Sequence, residues 1–313
     1  EPVMTLANHE APPTQAPATP LRDFLWTLPQ PLWAFGAMIA VASALRTGWT
    51  DADVLISIVM LSPIPAIGLL ERLLPRRRDW LLEGREFAED AFWVGCAYLI
   101  WYPIYDEYYD TPISEAFAAL REASALPVTL APESTLGLLG AALAALLASE
   151  FVYYWLHRLQ HRMLLFWRMH ATHHHVTKMS AARADRTHPL EFAALNLGPA
   201  IVLALLGASG DVVAVYLAFR IPSAYLNHSN LPLRSGVHGW LFTTAEWHAL
   251  HHSLVREESD RNFGCTVILW DRIFGTFSGK PEVARVGNGT GEALSVLTQL
   301  TLPFRSGRAI GEL

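Results

Sequence analysis

Apolar runs alternate with short polar joints along this chain, and the runs set its architecture. Residues 31–48, 54–74, 87–105 and 134–156 each come near the ~20 apolar residues that cross ~30 Å of hydrocarbon as a helix. Pro63 and Pro65 interrupt the second run, a kink that a membrane helix tolerates where neighbours satisfy the freed carbonyls. Two shorter runs, 192–206 and 212–226, flank a tight turn between Gly207 and Asp211 and carry Pro199, Arg220 and Pro222. They predict a helical hairpin that either just spans the bilayer or enters and returns. The expected fold is all-α: a polytopic membrane bundle of four main spans plus the short hairpin, with a cytoplasmic histidine-rich helical cap.

The ends read differently. Residues 1–30 are polar and carry six prolines, without the basic segment and short apolar core of a signal peptide. They are expected to form a flexible cytoplasmic arm. Residues 31–280 form one expected domain with its histidine core at 150–277. Residues 281–313, which include Gly287, Gly289 and Gly291, are expected to form a peripheral tail.

Loop charge gives orientation. Arg76, Arg77, Arg78 and Arg85 lie between the second and third runs. Asp106, Glu107, Asp110, Glu115, Glu122 and Glu133 lie between the third and fourth, against a lone Arg121. The positive-inside rule puts the arginines in the cytoplasm and the acidic loop outside. The linker after the fourth run, with Arg158, Arg162, Arg168, Lys178, Arg183 and Arg186, carries the same cytoplasmic sign. Trp33, Trp49, Trp80, Trp101, Trp155 and Trp167 fall near run ends, where an indole belt is expected.

Composition agrees with a membrane protein. Hydrophobic residues make up 52% and charged residues 17%, against about 25% charged in soluble domains. Lys178 and Lys280 are the only lysines; with the Ala and Leu richness this suggests a GC-rich bacterial genome and an inner-membrane location. The net charge of −6 comes with no basic stripe interleaved with aromatics, so nucleic-acid binding is set aside. Cys96 and Cys265 are isolated; they make neither a disulfide framework nor an iron–sulfur site and read as packing residues.

The chemistry lies in the histidines. His157 and His161 share one helix face at i,i+4. His170, His173 and His174 project from one side of a helix, and His248, His251 and His252 repeat that spacing. With His228 these make nine nitrogen donors. A four-coordinate metal uses three or four, so nine point to two metals. Imidazole suits iron, zinc, copper and nickel alike, so residue type does not name the metal. His188, in Arg186-Thr-His188-Pro-Leu-Glu191, either ligates or orients the site with Glu191. His175 reads as an outer neighbour of the site or a solvent-facing residue, and isolated His9 and His238 as ordinary hydrogen-bonding residues. Metal-bound histidine donates its other N–H to a carboxylate or carbonyl. Glu150, Asp185, Glu191, Glu246 and Asp271 are the candidate carboxylates, with Asn227 and Asn262 beside the motifs.

From Glu150 to Phe277 the sequence resembles the fatty acid hydroxylase / sterol desaturase superfamily of integral-membrane enzymes. The resemblance rests on the HxxxH at His157 and His161 and the HxxHH at His170, His173 and His174. It continues through Asn227-His228-Ser229-Asn230, the HxxHH at His248, His251 and His252, Asn262-Phe-Gly264, and the segment from Trp270 to Thr276. The chain departs from that pattern where Ala224 stands one turn before His228, a position at which relatives often carry a second histidine, and where Ala245 follows Thr244 in place of proline. The resemblance implies a dinuclear iron centre held by these histidines, O2 activation and oxidation of a lipid-like C–H bond. Zinc is expected as a substitute ion in purified protein.

The function expected is O2-dependent hydroxylation of an alkyl C–H bond in a membrane lipid or sterol-like substrate. Desaturation by the same centre is the runner-up. A zinc-dependent lipid hydrolase and a non-enzymatic haem- or metal-handling protein are the readings from other classes. With no iron–sulfur or haem signature in the chain, a separate ferredoxin or reductase is expected to supply electrons.

Overall fold

The computed structural model describes residues 20–125, 128–280, 282–306 and 310. The first nineteen residues of the expected arm lie outside them. Among the described residues the secondary structure is helical, with one isolated bridge between Ser253 and Val286. The order is α1 (Pro20–Leu25), α2 (Pro29–Arg46), α3 (Ala52–Leu61), α4 (Pro63–Leu73), α5 (Gly84–Cys96), α6 (Tyr102–Tyr105) and α7 (Thr111–Ala123). The long α8 (Thr135–Arg162) and α9 (Leu164–His174) follow, then the hairpin of α10 (Pro189–Leu205) and α11 (Gly210–His228). Short helices α12 (Ala245–His251), α13 (Arg256–Ser259), α14 (Leu269–Ile273) and α15 (Val296–Thr301) complete the chain.

Among the described residues three helical segments are long and apolar enough to cross a membrane: Pro20–Arg46, Ala52–Leu73 and Thr135–Arg162. Only 28%, 22% and 33% of their apolar windows are buried, so most of that apolar surface faces outward, as lipid contact requires. Leu32, Ile39, Leu61, Leu69 and Leu136 are among the exposed side chains. The second segment is broken at Ser62-Pro63, where the sequence places its kink. The expected span at 87–105 is not among the three. It is divided between α5, a π turn at Ala97–Trp101 and α6, and its Asp90 is drawn inward by Arg183, at 3.0 Å, and by Arg186.

Helix α8 starts at a serine cap: the Ser134 side chain accepts from Gly137 N at 3.0 Å. Its 28 residues extend about 42 Å, some 12 Å more than a hydrocarbon core. The surplus is the His157 and His161 end. Helix α11 is apolar on nearly every face and sits in the middle of the bundle against α2, α3 and α8. Met38, Leu55, Leu146, Val215 and Phe219 share that core. The hairpin turns at Gly207, whose φ of +56° suits glycine, and Leu130 pairs with Leu206 and Ser209 across the turn. Helix α11 then returns to the histidine end. Asn230, just beyond it, accepts from Arg76 N at 2.7 Å, so the arginine loop and the histidines occupy the same end.

The tail expected to be peripheral packs on the histidine helices. Leu302 and Ile310 are buried with Trp167 and Ala171, and the Gln299 carbonyl accepts from the Thr172 hydroxyl at 3.1 Å.

Candidate metal centre

The nine histidines gather into two groups at the C-terminal end of α8. His157, His161, His170, His174 and His251 form one; His173, His228, His248 and His252 form the other. Within each group every residue offers a ligand atom within 4.8 Å of the others, and all nine side chains are buried. Helix geometry explains the split. Successive residues turn about 100°, so i+4 falls about 40° to one side of i and i+3 about 60° to the other, which sets i+3 and i+4 about 100° apart on the same side of the helix. Helix α9 therefore gives His170 and His174 to the five-histidine group and His173 to the four-histidine group. Helix α12 does the reverse: His248 and His252 join the four and His251 the five.

The outward ring atoms are held, which fixes what points inward. The backbone carbonyls of Phe263, Arg261 and Ala224 accept from Nδ1 of His157, His251 and His228. Glu191, fully buried, accepts from His170 Nδ1, and Asp260 faces His161 Nδ1 at 3.3 Å. With the proton on Nδ1, each of these rings turns a bare Nε2 lone pair inward. His170 Nε2 lies 2.9 Å from both His157 Nε2 and His174 Nε2, and His248 Nε2 lies 2.9 Å from His228 Nε2. Lone pairs that close repel unless a cation sits among them. Burial holds His170, His173, His174, His248 and His252 well below the ordinary imidazole range, with neighbouring imidazoles lowering them further. His251 falls to about 4, also through burial. Neutral, convergent and buried imidazoles fit a pair of transition-metal ions.

A strap of chain from Arg261 to Ser278 ties α8 to α12. The Asp271 carboxylate accepts from Phe263 N at 2.8 Å and Gly264 N at 2.7 Å. Asn262 adopts a φ of +56°, and its side chain ties to Trp247 and Ser278. The carbonyls of Arg261 and Phe263 are thereby aimed at one histidine from each helix layer. A Cβ on Gly264 would meet the Val267 carbonyl oxygen at 2.1 Å, which is why the motif needs glycine there.

These contacts meet two likenesses to known proteins. The fatty acid hydroxylase family model matches residues 142–276. The chain is 31% identical to the ornithine lipid hydroxylase OlsE of Rhizobium tropici over 286 residues, 87% of this chain and 81% of that one. The chain belongs to the fatty acid hydroxylase family. Two further family relatives match over shorter stretches: human alkylglycerol monooxygenase, 30% identical over 44% of this chain and 31% of its own length, and methylsterol monooxygenase 2-2 of Arabidopsis thaliana, 26% identical over 42% and 49%. No solved structure matches the chain.

For this fatty acid hydroxylase family member, the other expected site residues fall as follows. His188 joins neither group; it caps α10, its Nδ1 accepting from Leu190 N at 3.1 Å while its Nε2 faces the Leu300 carbonyl. His175 is buried beside Asn288, at 3.3 Å, and also lies outside both groups. His238 stacks on Phe242, and His9 lies outside the described residues. Of the expected carboxylates and amides, Glu191 alone touches a histidine. Asp271 and Asn262 act through the strap. Asn227 bridges Gln30 and the Cys265 carbonyl, Asp185 accepts from Tyr225, Glu246 pairs with Arg234, and Glu150 pairs with Arg220. Asp260 was not expected, because Arg256-Glu-Glu-Ser-Asp260 reads as a solvated charge run.

Two cavities approach the four-histidine group from the bundle. One of about 860 Å³ runs between α3, α10 and α11, walled by Ile56, Met60, Leu203 and Leu217. A smaller one of about 90 Å³ continues to His173, His228 and His248. Tyr102, Asn196, Arg220 and Ile221 line both. The five-histidine group instead borders a polar cavity of about 200 Å³, lined by His161, His174, Arg256 and Asp260.

Proposed function

We propose that this chain is an O2-dependent di-iron hydroxylase acting on an alkyl C–H bond of an acyl lipid in a bacterial inner membrane, with its metals on the cytoplasmic side. The observation that carries the reading is the convergence of nine buried imidazoles, as five and four, at the end of a largely apolar cavity open to the bundle. The net reaction consumes R–H, O2, two electrons and two protons and yields R–OH and water. Two bound irons supply what side chains lack, O2 activation and removal of hydrogen from an unactivated carbon.

The protein's part is positioning and exclusion. Glu191 and Asp260, with the carbonyls of Arg261, Phe263 and Ala224, keep the ligand nitrogens bare and aimed. The apolar cavity keeps water from the reacting carbon and admits a chain from the lipid phase. The polar cavity on the other group suits traffic of protons and water. Cys96 and Cys265 are both free and buried, so electrons come from a separate ferredoxin or reductase. The name of OlsE, the relative matched over most of its length, favours hydroxylation over desaturation and an acyl lipid over a sterol.

The test is metal analysis and O2 uptake on anaerobically purified protein, joined to mass spectrometry of lipids from cells with and without the gene. Iron, O2 consumption and a lipid gaining one oxygen are expected. Zinc alone, with ester or amide hydrolysis and no O2 uptake, would overturn the reading, and loss of two hydrogens would reassign it to desaturation.

A further inference from the structure

Arg220 sits at the waist between the two cavities, on the same helix as His228 and eight residues before it, about 12 Å along the axis. Its side chain is 12% exposed. An arginine inside an apolar helical bundle is costly and marks function unless a structural partner consumes it. Its partner takes only part of it. Nε reaches Glu150 Oε1 at 3.3 Å, while Glu150 Oε2 is occupied by Thr266 N at 2.8 Å. The Tyr153 ring covers the guanidinium at 5.7 Å. Among the described residues, neither outer nitrogen of Arg220 has a hydrogen-bond partner. A planar fork with two unused donor nitrogens, set in a largely apolar channel, matches an acyl oxygen.

We propose that Arg220 is a positioning residue: its outer nitrogens hold a carboxylate or acyl carbonyl oxygen of the lipid and so select the carbon presented to the four-histidine group. The carbons next to the held oxygen then enter the smaller cavity, and the rest of the tail doubles back into the larger one. The smaller cavity, between Arg220 and the histidines, has room for only about six to nine water-sized groups. The new hydroxyl therefore lies within a few carbons of the held oxygen, not at mid-chain or at the chain end. This assignment rests on the hydroxylase reading for its product but not for its binding step.

The full chain in dodecyl maltoside tests both, with palmitate, methyl palmitate and hexadecanol as probes. In metal-free protein, palmitate is expected to bind at least about tenfold tighter than hexadecanol, read as a thermal shift. Methyl palmitate behaving like palmitate assigns the carbonyl as the held group; behaving like hexadecanol, it assigns the carboxylate. Arg220→Met abolishes the discrimination, Arg220→Lys keeps part of it, and Glu150→Gln keeps it. In iron-loaded protein given electrons, Arg220→Met spreads the product hydroxyl along the chain, an effect that mere loss of packing does not produce. Equal affinities for palmitate and hexadecanol in the unaltered protein, undiminished discrimination in Arg220→Met, or its loss in Glu150→Gln would overturn the proposal. Discrimination through Arg220 without O2 uptake would leave the anchor standing and remove the hydroxylase reading instead.

Discussion

His170 and His173 stand three residues apart on one helix and belong to different histidine groups. That relationship makes the two sites separable by mutation. His173→Ala takes one donor of four and His174→Ala one of five. Removing a donor from the smaller set is expected to empty it, halving metal content from about two ions per chain to about one. His174→Ala is expected to retain more metal, with weaker hold. Elemental analysis of the two variants checks this, and unchanged metal in His173→Ala would refute the grouping.

Glu191 is the one buried carboxylate bonded to a ligand imidazole in the five-histidine group's interior. Replacing it by glutamine keeps the shape and loses the charge that secures the Nδ1 proton. Metal affinity or turnover is expected to fall 10–100-fold, the usual cost of losing such a partner. Competition with a calibrated chelator measures the affinity directly. An unaltered affinity and rate would show that His170 needs no help to stay in its tautomer.

Much of this architecture is written locally in the chain. The spacing of His157 and His161, and of the two HxxHH units, specifies helix faces, so convergent donors could be read before any coordinates. The five-to-four division could not, because it depends on how α9 and α12 face each other. His188 illustrates a second limit. The Pro189 that follows it is a common first residue of a helix, which marks position 188 as a cap as readily as a ligand. Asp260 was hidden in a run of charges, and the packing of Leu302 and Ile310 in a Gly-rich, unpatterned tail. The run at 87–105 looked like a span by composition, but Asp90 finds its partners in Arg183 and Arg186, more than ninety residues away. Long-range ion pairs of that kind leave no periodic trace.

Gly264 is a sensitive point that offers no ligand itself. An alanine there would place its Cβ against the Val267 backbone, so the strap must shift. A loss of about 1–3 kcal/mol is expected from such overpacking. Because the Phe263 carbonyl orients His157, metal retention should fall with it. Thermal unfolding with parallel metal analysis would check both, and a variant of full stability would show that the strap is more pliable than its contacts suggest.

Chelation should convert the protein to one that acid destabilises. In the unfolded chain imidazole titrates near 6.5, whereas burial brings His251 to about 4 in the folded one. The unfolded state then binds more protons between those values, so stability is present above about pH 6.5 and is lost as pH falls towards 4. The buried histidines of α9 and α12 add in the same direction. Thermal midpoints of the chelated protein across pH 4–7 should therefore drop steeply on the acid side. A flat profile would mean that the imidazoles open to water once the metals leave.

Ala224 occupies on α11 the position that His157 occupies on α8, one turn before a ligand. It also lines the small cavity beside His173, His228 and His248. The missing imidazole accounts for the unequal groups and leaves the four-histidine site open towards the lipid side. Ala224→His is expected to supply a fifth donor and to fill that opening at once. Metal should then leave more slowly under chelator, while lipid hydroxylation falls by at least about tenfold because the reacting carbon loses its place. Both changes follow from the same side chain, so their joint measurement is discriminating. Slower metal loss with undiminished turnover would mean that the substrate reaches the metals by another route. Faster metal loss would mean that α11 cannot present a second imidazole in the way α8 does.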